Sequence, residues 1–64
     1  MTSLRELTKH FREQVGLYPH LADELQDIIE LAYSEVDEGG SEPHEVSLAY
    51  SDIEDLIKIS KNEL

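Results

Sequence analysis

Apolar positions along the chain recur with the 3.6-residue period of an α-helix in three separate stretches, and nowhere is there a strand-type alternation longer than a few residues. The middle stretch is the most complete. At 100° per residue, Leu21, Leu25, Ile28, Ile29, Ala32 and Val36 share one arc, while Asp23, Glu24, Asp27, Glu30, Glu35, Asp37 and Glu38 fill much of the other side. Before it, Leu4, Leu7, Thr8, Phe11, Val15 and Tyr18 form a face, flanked by Arg5, Lys9 and Arg12 as a basic side stripe. After it, Val46, Ala49, Tyr50, Ile53, Leu56, Ile57 and Ser60 form a third.

Boundary residues turn these patterns into elements. Ser3-Leu4-Arg5-Glu6 has the form of a capping box and predicts a helix start, with Gly16 as its stop. Pro19 suits the first turn of a second helix, which Gly39-Gly40 would end. Ser41 followed by Glu42, Pro43 and Glu45 predicts a third start, and Lys58 and Lys61 favour its C-terminal end. The expectation is a small all-α domain covering 1–64, with helices over about 3–15, 19–38 and 42–61. Short connections make them antiparallel neighbours. A chain of this size buries only about 60% of the surface its unfolded form exposes. Homodimerisation is therefore one way to complete the core.

Charge narrows the choice of partner. Fifteen acids stand against five Lys and Arg, for a net charge of -10. The first helix carries three cations and two acids, whereas residues 18–40 carry seven acids and no cation. Such a balance disfavours direct binding to nucleic acid or to an anionic membrane and favours a basic protein. The first segment is also expected to lie across the acidic second. With no run near the roughly 18 apolar residues of a membrane span, and no apolar signal-peptide core in the first fifteen residues, a cytoplasmic protein is expected. The absence of cysteine is compatible with that compartment.

Two candidate surfaces emerge. The first comprises Asp23, Glu24, Asp27, Glu30, Glu35 and Glu38 around an out-of-pattern Leu31. Carboxylates about 5 to 6 Å apart on a helix approach the charge density of a phosphate backbone, so this face can occupy a nucleic-acid-binding groove. It can equally be a solvated face that maintains solubility. Glu35, Asp37 and Glu38 also oppose the helix dipole at its C-terminal end, which suits either a functional surface or a frayed terminus. The second surface is the line Leu48, Asp52, Asp55 and Ile59, where two apolar residues depart from the main face of the third helix. They read either as anchors for self-association or as ordinary exposed side chains.

Enzyme chemistry is not expected. His10, His20 and His44 lack metal-ligand spacing and read as surface or capping residues. The acidic turn at Gly39-Gly40 fails the calcium-loop pattern in either register, because Val36 or Val46 falls on a ligand position. No nucleophile motif or phosphate loop occurs, and no cofactor is called for.

Over YPHLADELQDIIELAYSEVDEGGSEPHEVSLAYSDIEDLI, the chain resembles short acidic helical proteins of tailed phages and prophages. The points of likeness are an acid-ended helix, Gly39-Gly40-Ser41, His44-Glu45 and a following helix with Asp52-Ile53 near its middle. The resemblance implies a phage-type inhibitor acting in the host cytoplasm on a host or defence protein, sometimes by DNA mimicry. It transfers no functional residue. A self-associating structural subunit and an antitoxin-like neutraliser of a basic toxin are the alternatives.

Overall fold

The computed structural model describes residues 3 to 62; residues 1, 2, 63 and 64 of the expected 1–64 domain lie outside the described residues, and with them the third segment's Glu63. Within this range the chain forms α1 (Leu4–Leu17), a 3₁₀ turn (Pro19–Leu21), α2 (Ala22–Asp37) and α3 (Glu42–Asn62). No strand occurs among the described residues. The molecule is an all-α three-helix domain measuring 39 × 20 × 17 Å.

The helical period determines what is buried. Leu7 of α1, Leu25, Ile29 and Ala32 of α2, and Val46, Ala49 and Ile53 of α3 form one core with Leu21 from the 3₁₀ turn. Leu7, Leu25, Val46 and Ile53 are fully enclosed. Each such side chain contributes about 1.5–3 kcal/mol through removal of apolar surface from water. Phe11, Val15, Tyr18, Ile28, Tyr50, Leu56 and Ile57 pack around them, half-buried. Thus the residues assigned to apolar faces by periodicity are largely those that meet in the core.

Three polar contacts link the elements to one another. Thr8 near the start of α1 meets Tyr33 near the end of α2 through their hydroxyls. The Leu4 N–H donates to the Glu42 carboxylate at 2.9 Å, joining the starts of α1 and α3. At the opposite end, His20 Nε2 lies 3.3 Å from Ser60 Oγ, linking the 3₁₀ turn to the last turns of α3.

Two boundaries differ from the sequence expectation. Gly16 does not stop the first helix: α1 continues through it to Leu17, and the Tyr18 N–H still reaches the Gln14 carbonyl at 2.8 Å. Glycine raises the free energy of a helix by about 1 kcal/mol relative to alanine but does not forbid it. The stop comes from Pro19, which lacks an N–H and pushes the preceding residue out of the helical region. Tyr18 accordingly adopts φ -130°, ψ 67°. Pro19 then opens a 3₁₀ turn instead of α2 itself, and α2 begins only at Ala22. This turn places Leu21 in the core.

The other boundaries lie within about one residue of expectation. Ser3 Oγ accepts the Glu6 N–H at 3.2 Å, the serine half of the anticipated capping box. Gly39 ends α2 at φ +102°, donating to the Val36 carbonyl at 3.1 Å, while Gly40 donates to the Glu35 carbonyl at 2.8 Å. These paired bonds form a Schellman motif, which satisfies carbonyls that a helix otherwise leaves unpaired.

Candidate functional site

Burial of Leu25, Ile29 and Ala32 on one side of α2 turns its acids outward. Asp23, Glu24, Asp27, Glu30 and Glu38 are exposed, and Glu35 is half-buried. Asp23 and Glu24 occupy the first turn, where the helix dipole favours negative charge. Gln26 Nε2 donates to Glu30 Oε1 at 3.1 Å, tying one carboxylate along the face. The last turn of α2 contains no base to offset Asp37 and Glu38. The Gly39 and Gly40 bonds close this end of the helix.

Leu31, Leu48 and Ile59 are all exposed, at 58%, 48% and 57% respectively. Packing of α2 on α3 brings the first two together: Leu31 and Leu48 line one shallow groove with Ile28, Ala49, Glu45 and Asp52. Leu31 from the acidic candidate surface and Leu48 with Asp52 from the second therefore belong to one continuous face. Asp55 and Ile59 continue it along α3, since residues seven and eleven positions beyond Leu48 return to nearly the same helical azimuth. Periodicity places side chains around each helix but does not specify which flank of one helix faces which flank of another. For that reason no sequence pattern joins Leu31 to Leu48.

α1 packs against α2, as expected of the first segment. Arg5, Lys9 and Arg12 line an open concavity of about 720 Å³ together with Glu6, Glu13, Thr8 and Tyr33. Tyr33 is the α2 residue on its wall, and none of the α2 acids lines it. Tyr33 is thus where α2 borders the basic stripe. Tyr33 itself carried no sequence assignment. Its position between the apolar arc and the acids is the one available signal.

The histidines have local roles. His10 packs on Tyr50 with ring centroids 4.8 Å apart and planes inclined at 45°. Burial, followed by the negative charges of Glu6 and Glu13, raises the Tyr50 hydroxyl above its ordinary pKa of 10.0. His20 joins Ser60 and makes an edge-on contact with Tyr18 at 6.4 Å, while Lys61 Nζ lies 6.0 Å from the centre of the Tyr18 ring. His44 is exposed. Among the described residues, no group of three His, Cys, Asp or Glu could hold a metal ion. No helix among them is long and apolar enough to cross a membrane.

Comparison with family models, curated proteins and solved structures finds no match to this chain.

Proposed function

We propose that this chain is a non-enzymatic protein-binding module whose acidic α2 face occupies a basic, nucleic-acid-binding surface of a host or defence protein, as a phage-type inhibitor acting by DNA mimicry. The observation that carries this reading is the outward row of α2 carboxylates in a chain with no Lys or Arg between Arg12 and Lys58. Neighbouring carboxylates without alternating cations forgo the i,i+4 pairing that ordinarily stabilises an exposed helix. They also create a field that steers a basic partner. In this reading the helices are antiparallel neighbours, the module works in the cytoplasm, and it requires neither cofactor nor metal. An antitoxin-like neutraliser of a basic toxin would use the same surface.

The test is affinity capture from a bacterial lysate, repeated with duplex DNA as competitor and with Asp23→Lys, Asp27→Lys and Glu30→Lys combined. All three positions are exposed, so the variant should retain its helical circular dichroism. The expected result is a nucleic-acid-binding protein that DNA releases and the variant fails to retain. Equal capture by the variant rejects the acidic face as the contact.

A second reading, a self-associating structural subunit, draws on the exposure of Leu48 and Ile59. Leu48→Glu with Ile59→Glu should then convert a homodimer into a folded monomer. An unchanged sedimentation coefficient would rule that surface out.

A further inference from the structure

The α2–α3 groove combines two features that an electrostatic face alone does not need. Its volume is about 70 Å³ and its walls are aliphatic, formed by Ile28, Leu31, Leu48 and Ala49. Leu31 and Leu48 also remain substantially exposed, beside the buried Ala32 and Ala49 that line the same groove. Glu45 and Asp52 complete the lining, and no Lys or Arg occurs anywhere between Arg12 and Lys58. An apolar centre inside a charged rim is the arrangement of a protein contact with one anchoring side chain.

Charge complementarity selects the occupant. In a two-fold pairing of this groove with a second copy, the same patch would face itself, bringing the acidic rim of one copy, Glu45 and Asp52, up to the acidic rim of the other. Like charges brought together in this way disfavour the pairing. A basic amphipathic helix has the complementary pattern, with an aliphatic side chain to fill the groove and flanking Lys or Arg to meet the rim.

We infer that the groove between Leu31 and Leu48 receives an aliphatic anchor from a basic amphipathic helix of the partner. This rests on the proposed binding of a basic protein and adds a requirement that DNA mimicry lacks: apolar contact as well as charge. DNA presents no such anchor, so the groove distinguishes a partner's helix from any surface recognised by carboxylates alone.

The test uses two fluorescein-labelled synthetic helical peptides, one of leucine and lysine at amphipathic spacing and one with every leucine replaced by alanine. Binding is measured by fluorescence anisotropy at about 150 mM salt, where the Debye length is about 8 Å. The native chain should prefer the leucine peptide by at least about tenfold, equivalent to about 1.4 kcal/mol. Leu31→Ser with Leu48→Ser, which leaves charge unchanged, should abolish that preference while retaining binding of both peptides. The combined Asp23, Asp27 and Glu30 reversal should weaken both peptides and preserve their ratio.

Equal affinity of the two peptides for the native chain overturns the groove proposal and leaves the acidic-face reading standing. A preference that survives the serine variant also overturns it. If neither peptide binds, the groove proposal falls, while the acidic-face reading is decided by the capture experiment. A homodimer that the serine variant dissociates assigns the groove to a second copy and overturns the basic-helix proposal.

Discussion

The α2–α3 connection turns on backbone geometry, whereas the α1–α2 connection turns on proline and on side-chain packing. In the former, Gly39 adopts φ +102°, and a Cβ at Gly40 would stand 2.7 Å from the Glu35 carbonyl oxygen. The latter contains no positive-φ residue, and Gly16 at its edge has open space where a Cβ would stand. Its shape comes from Pro19, the buried Leu21 and the contact of His20 with Ser60. Glycine is therefore structurally required at one junction and incidental at the other. This contrast predicts different responses to substitution.

The largest effect is expected at Leu21. Leu21→Ala removes the core anchor of the first connection and should destabilise the domain by about 2–5 kcal/mol, measured by urea unfolding. The total stability of a chain this size is on the order of 3–10 kcal/mol. A loss below about 1 kcal/mol would show that Pro19 alone holds this turn. Gly40→Ala should cost about 2 kcal/mol, because the new Cβ meets main chain and displaces the bond to Glu35. Unchanged thermal unfolding would deny the second connection its dependence on close backbone approach.

Gly16→Ala has the opposite sign. It should stabilise by about 0.5–1 kcal/mol through helix propensity and reduced freedom of the unfolded chain. A decrease in thermal midpoint would indicate that Gly16 is required. The smallest effect belongs to Ser60→Ala, which removes an exposed contact to His20 and should change stability by less than about 0.5 kcal/mol. A larger loss in chemical denaturation would make that contact a main support of the first connection.

These junctions also show what can be read from sequence. The buried faces were legible because Leu7, Leu25, Ile29, Val46 and Ile53 occur at helical spacing, which dictates which side of each helix becomes apolar. Gly39-Gly40 was legible because two glycines beside an amphipathic run match a helix terminus. Gly16 misled because glycine permits a stop without imposing one, and the preceding carbonyls kept their partners up to Tyr18. Leu31, Leu48 and Ile59 were recognisable as departures from the core pattern. The shared groove was not, because Leu31 and Leu48 meet only through the packing of α2 on α3. The acids were visible as a pattern on one helix, but their partner was not, since a carboxylate row specifies a sign of charge and little shape.

The 2.9 Å bond from the Leu4 N–H to Glu42 has a consequence for the order of assembly. Its acceptor is supplied 38 residues downstream. During synthesis, α1 emerges with that amide dependent on water and with only the serine oxygen as a local cap. The third helix must arrive before this link can close. The first turn of α1 thus reports on the docking of α3: amide exchange at Leu4 should slow only after Glu42 has taken its place.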